Sequence, residues 1–216
     1  MGSDRWRWGN IWPGWGIAAG LALTAAGYWG PWVAHRAAAL VLPGVDLAEY
    51  VKFLPAYRQG QLALIREGFY LPLCALSLAL SALAWRPGLG WPSLLRWLAW
   101  FAALPAALAM LPPAWSPPVL RLPEFRIQGI AILVCLAAFL ASPIVGRGRL
   151  GGIGYVLAGL SLLALVTPLW QFWLMVPSLV EVYGRPVTVG RGPLIMAIGL
   201  LLVAVGSIGL ARQESA

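Results

Sequence analysis

The sequence predicts an all-α, polytopic membrane protein with six transmembrane helices and one or two interfacial helices in the first outer loop. Three observations carry that prediction. Of 216 residues, 61% are apolar and 10% charged, whereas soluble domains carry about 25% charged residues. Several windows reach the ~18 to 20 apolar residues needed to cross a bilayer. The ~10-residue segments of alternating polarity that mark a transmembrane β-barrel are absent. Residues 1–216 therefore read as one transmembrane helical domain, and residues 34–61 as an extracytoplasmic loop.

The first predicted span, Ile11 to Val33, follows Arg5 and Arg7 and reads as a retained signal anchor, since no small-residue cleavage site closes it. Gly16 and Gly20 form a small-xxx-small pair suited to close helix packing, with Gly27 and Gly30 further along. The second span runs from Leu62 or Gly68 to Trp85 and the third from Pro92 to Leu111, with Arg96 placed to snorkel. A connection with five prolines, Pro112 to Gly129, holds an extended chain before the fourth span, Ile127 to Val145. The fifth begins near Gly151, kinks at Thr167-Pro168 and ends at Trp170. Residues 170–180 are too many for the same straight crossing and are placed along the interface or in a re-entrant turn. Two short strands are expected around Gly184-Arg185-Pro186, and the sixth span runs from Pro193 to Ala211.

Net charge is +8, but the arginines stand singly or in twos at the ends of apolar runs, where they orient the chain and meet lipid phosphates. That excludes a nucleic-acid partner. Arginines on the side of Arg5, Arg7, Arg86 and Arg212 lie in much the shorter connections. Their density places both termini in the cytoplasm of a cell (inner) membrane.

The interval from Pro31 to Gly68 holds the sole histidine, the sole lysine and three of the seven acids. Asp46 and Glu49 are spaced as an acidic capping box for a short amphipathic helix over 46–54, which Pro55 ends. The preceding residues from Val33 could form a second surface helix. Asp46, Glu49 and Lys52 recur on one face. Arg66 and Glu67 stand where the second span enters the membrane, and charges there are costly unless paired. Neighbours on a helix do not face each other, so each is expected to take a separate partner: Asp46 or Glu49 for Arg66, Arg126 or Arg36 for Glu67. The candidate functional cluster is thus His35, Arg36, Asp46, Glu49, Lys52, Arg66 and Glu67.

No metal set, cofactor motif, phosphate loop or zinc-protease HExxH motif is present, and Cys74 and Cys135 sit as small residues in apolar runs. The balance favours a non-catalytic subunit or small permease-like component of a transport-type membrane complex. Its partners would be the bilayer and further membrane or nucleotide-binding subunits, and its first outer loop the recognition or gating element. An alternative is a membrane enzyme acting on a lipid or isoprenoid at the outer interface, with His35 and Asp46 or Glu49 as acid and base. A further alternative is a channel or carrier for a small neutral solute.

Overall fold

The computed structural model describes residues 4–35, 41–86, 88–113, 115–146 and 152–215. The chain starts with α1 (Asp4–Trp29), β1 (Pro31–Ala34) and β2 (Leu42–Pro43), followed by the short helices α2 (Leu47–Tyr50) and α3 (Pro55–Arg58). Then come α4 (Leu71–Ala84), α5 (Ser93–Leu108), the single turn α6 (Pro117–Leu120) and α7 (Arg126–Val145). The chain closes with α8 (Ile153–Tyr183), β3 (Thr188–Val189) and α9 (Gly192–Ser215). Among the described residues four helical segments are long and apolar enough to cross a membrane: Arg66–Ala84, Pro123–Ile144, Ile153–Tyr183 and Gly192–Gln213. Ser93–Leu108 is apolar but shorter.

The hub of the bundle is α4, which packs on α1, α5, α7 and α8. Its most apolar window is 67% buried, against 28% for the span that contains α7, so α7 is more peripheral than α4. α1 and α9 form the tightest pair. Each step forward on α1 is matched by an equal step back on α9: Pro13 and Ile17 meet Gly206, Gly20 meets Gly199, and Gly27 meets Gly192 and Met196. Steps of seven residues are close to two helical turns, so the small residues stay on one seam. There the backbones approach so closely that a Cβ at Gly27 would lie 2.1 Å from the Met196 nitrogen. Gly20 belongs to this seam. Gly16 does not, because a Cβ there would first meet its own helix's Trp12 ring at 3.3 Å.

At one end of the bundle a cap covers the helices. β1 pairs antiparallel with β2 and β3 in a sheet of order β2-β1-β3, which joins the end of α1 to the chain entering α9. Leu47, Ala48, Val51 and Leu54 point inward and are fully buried with Tyr28, Trp32, Phe69 and Phe172. Trp32 donates to the Gly27 carbonyl at 3.2 Å and packs edge-on to Phe172. At the opposite end Trp85, Trp97, Trp100 and Phe139 form an aromatic cluster across α4, α5 and α7. Trp91 there donates to the Gly14 carbonyl at 2.8 Å.

Several sequence-based expectations are corrected. Residues 170–180 make no re-entrant turn and do not leave the helix: α8 continues through Pro168 and Pro177 to Tyr183. Phe172, Met175 and Leu179 recur at helical spacing and are buried against the cap, which offsets the hydrogen bonds the prolines remove. Only one strand forms after Gly184, since Glu181 to Tyr183 stay helical and Thr188–Val189 pairs with β1. Val33 and Ala34 are strand rather than a second surface helix. The segment over 46–54 is α2 between two 3-10 turns, Gly44–Asp46 and Val51–Phe53, and Asp46 makes no side-chain cap bond. With Asp46 itself in the helical region, at φ −90° and ψ −11°, the extended backbone that a capping box needs is missing.

The seam is testable at two glycines. Gly199→Ile places a branched side chain where even a Cβ lies 2.4 Å from the Thr24 nitrogen, and overpacking costs about 1–3 kcal/mol or more. Gly159 has nothing within 4 Å of its Cβ position, so Gly159→Ala is expected to be neutral or to stabilise by about 0.5–1 kcal/mol. Thermal unfolding in detergent, followed by tryptophan emission, reads both. Equal melting temperatures for the two variants would contradict the seam.

Candidate functional site

The largest concentration of charge in the described structure lies where the cap meets α4 and α7, and Arg66 is its centre. The 3-10 turn Arg66–Tyr70 that leads into α4 turns this side chain inward, leaving it 3% exposed. Its Nη2 donates to the Glu124 backbone oxygen at 2.9 Å, to Glu67 Oε1 at 3.2 Å and to Gln128 Oε1 at 3.3 Å. Nη1 donates to Glu124 Oε1 at 3.3 Å and lies 3.6 Å from Glu49 Oε1. Lys52 Nζ bridges Glu49 Oε2 and Glu124 Oε1, both at 2.9 Å. The Phe125 ring lies 4.7 Å from Lys52 Nζ and 5.2 Å from Arg66 Cζ, within the reach of cation–π attraction.

A second layer holds the carboxylates. Tyr70 donates its hydroxyl to Glu49 Oε1 at 3.0 Å, and Gln128 donates to the Tyr70 hydroxyl at 3.4 Å and to the Met110 carbonyl. Tyr28 donates to the Phe69 carbonyl at 2.8 Å. Four segments are thereby tied at one point: α2, the Arg66 turn, the connection before α7, and the first turn of α7. The cluster sets two cations against three carboxylates, and its outer edge is Glu124, 56% exposed.

Of the seven residues singled out in the sequence, Glu49, Lys52, Arg66 and Glu67 meet here. Asp46 is exposed, and Arg36 lies outside the described residues. His35 lies elsewhere, lining a cavity of about 420 Å³ with Tyr50, Val182, Tyr183 and Arg185. No carboxylate lines that cavity, so the structure does not bring His35 together with Asp46 or Glu49. Burial, then a hydrogen bond with Tyr183, push the Tyr50 phenol up to about 12.

Glu49 does lie beside Arg66 as expected, at 3.6 Å, but one expectation about pairing is corrected. Arg66 and Glu67 bond each other directly, because they occupy a 3-10 turn and the long guanidinium arm folds back across it. Arg66 also takes Glu124 and Gln128, which the sequence reading missed. Gln128 carried a usable signal as an amide near the start of an apolar span; Glu124 stood in the proline-rich connection without one. Behind the cluster, Glu67, Tyr70 and Gln128 share a cavity of about 320 Å³ with Thr167 and Gln171. Gly68 lets Gln171 approach, since a Cβ there would lie 2.2 Å from its Nε2.

No protein-family model, curated protein or solved structure matches the chain. Its chemistry is therefore read from the geometry alone. Among the described residues no set of three His, Cys, Asp or Glu is placed to hold a metal ion, and the carboxylates of the cluster already face the guanidinium and ammonium. The arrangement is a lock: it fixes the cap on the bundle and keeps one guanidinium dry and satisfied.

Removing one partner from a buried charge group costs about 3–5 kcal/mol, whereas a part-exposed pair contributes roughly 0–1 kcal/mol. Arg66→Gln is thus expected to lower the melting temperature far more than Lys52→Ala. Arg66→Lys should not rescue it, because one ammonium cannot reproduce the planar fork. Similar losses for Arg66→Gln and Lys52→Ala would dismiss the lock. Tyr50 supplies a pH test. A phenol raised in the folded state contributes stability fully present below its ordinary value near 10 and lost as pH rises through about 12. In Tyr50→Phe the alkaline loss of stability between those values should be smaller than in the parent.

Proposed function

We propose that the chain is a non-catalytic, six-span component of a membrane complex, and that its cap is the recognition element. The observation that supports this reading is the fastening of the cap. Its inner face buries Leu47, Val51 and Leu54 completely, at about 1.5–3 kcal/mol for each large side chain, and the Arg66 cluster pins it to two helices. A gate would need contacts weak enough to break on opening. A platform needs a fixed inner face and a free outer one, as here: Phe53 is 74% exposed beside the exposed Pro55, Arg58 and Gln59.

In this reading the six crossings are made by α1, α4, α5, α7, α8 and α9, and the cap faces away from the cytoplasm. Both termini are then cytoplasmic, in a cell membrane. That orientation rests on the dense arginines of the shorter connections, and it puts the charged lock on the outer side. The partner is a further membrane subunit reached over the outer surface.

A benzophenone amino acid in place of Phe53, photolysed in native membranes, is expected to give a discrete protein adduct. The same probe at Ile144, 82% exposed on α7, should give lipid adducts instead. Arg66→Gln should lower the Phe53 adduct yield by loosening the platform. Lipid-only adducts at both positions would show that the cap rests on the bilayer and would defeat the proposal.

A further inference from the structure

On the side of α7 away from the lock lies a groove of about 1060 Å³, at the top of the ~300–1,000 Å³ range of small-molecule sites. Its wall is apolar, formed by Leu108 at the end of α5 and Leu111 beyond it, by Trp115 in the connection, and by Ile132, Leu133 and Leu136 on α7. Two cations line its rim, Arg121 and Arg126. Both are exposed, and neither forms an ion pair among the described residues. The one acid between them in sequence, Glu124, is turned to Lys52 and Arg66 at 2.9 and 3.3 Å. Two uncommitted guanidinium groups therefore stand over an apolar channel at one end of a candidate membrane span.

We infer that this groove binds one anionic phospholipid, with its phosphate on Arg121 and Arg126 and an acyl chain along α7. Guanidinium forks match phosphate oxygens in a bidentate fashion. The exposed Trp115 ring suits the headgroup depth, where indoles collect. A free phosphate would meet the same two arginines but would leave the apolar wall unused. A zwitterionic lipid would use the wall but would bring its own cation to the rim. Only an anionic lipid engages both. This site is separate from the cap platform and does not depend on the cap's having a partner.

The test uses the full-length protein in nanodiscs of phosphatidylcholine, with phosphatidylglycerol titrated in and native mass spectrometry counting retained lipids. Each arginine near a membrane surface adds about 1 kcal/mol, or roughly fivefold, so the preference for phosphatidylglycerol should be roughly 30-fold for two. In the double variant Arg121→Gln/Arg126→Gln that preference should fall to near parity. Gly129→Trp gives a second arm. Gly129 lines the groove and its Cβ position meets only the Leu120 oxygen, at 3.6 Å, so the indole should fill the channel and displace either lipid with Arg121 and Arg126 intact. Inorganic phosphate added to the phosphatidylcholine discs should not protect the protein from heat, whereas phosphatidylglycerol should. Equal retention of the two lipids, or an unchanged preference in the double variant, would overturn the site. So would protection by inorganic phosphate alone, which would make it an anion site, or lipid retention unaffected by Gly129→Trp.

Discussion

A guanidinium removed from water must have its donors met, and that requirement at Arg66 organises the cap end of this protein. Arg66 lies at the start of the central helix, where solvent is nearly excluded, and no single neighbour can satisfy five N–H groups. The acceptors come from its own turn, from the connection before α7 and from α7 itself, and a carboxylate of α2 lies 3.6 Å away as an ion-pair partner. Meeting them fixes where each of those segments lies. Gln128 and Tyr70 extend the same logic outward, since each holds an acceptor that Arg66 uses or shares. The cost of burying the charge is offset by this number of contacts, as a lone pair would not suffice.

Two different forces hold the two regions of the fold. α1 and α9 meet by close backbone packing through Gly20, Gly27, Gly192, Gly199 and Gly206, the small-residue contact that serves helices where no hydrophobic force acts between them. The cap resembles an ordinary soluble core: Leu47, Val51, Leu54 and Trp32 are buried against Phe69 and Phe172. The length of α8 links the two regions. Its 31 residues span about 46 Å, some 16 Å more than a bilayer's hydrocarbon, and its upper half serves as a wall of the cap.

Four apolar helices of spanning length were legible in the sequence because a membrane demands length and apolarity together, and few other structures supply both. Ending the fifth helix at Trp170 failed because bilayer thickness limits a crossing and not the helix that makes it, while the burial of Phe172, Met175 and Leu179 is tertiary. The capping box at Asp46 had the right spacing but the wrong backbone, and spacing alone does not report φ and ψ. Within the charge cluster, Arg66, Glu67, Glu49 and Lys52 drew attention as charges in or near an apolar span. Glu124 did not, because its contact with Arg66 joins residues 58 apart in sequence, which no local pattern encodes. The strand pairing of Thr188 with Ala34 was hidden for the same reason.

The short run from Arg121 to Arg126 joins the lock to the groove. Pro123–Phe125 forms a 3-10 turn, and its threefold geometry separates neighbouring side chains by about a third of a revolution. Glu124, within the turn, faces Lys52 and Arg66, while Arg121 before the turn and Arg126 after it line the groove. Had Glu124 faced the arginines, it would have cancelled one of the two rim charges and left Lys52 with Glu49 alone. Turned as it is, it gives the lock its third carboxylate and leaves two positive charges over the apolar channel. Phe125, under Lys52 and Arg66, holds that orientation. One carboxylate's direction thus sets the charge on both sides of this connection: net negative in the lock, positive over the groove.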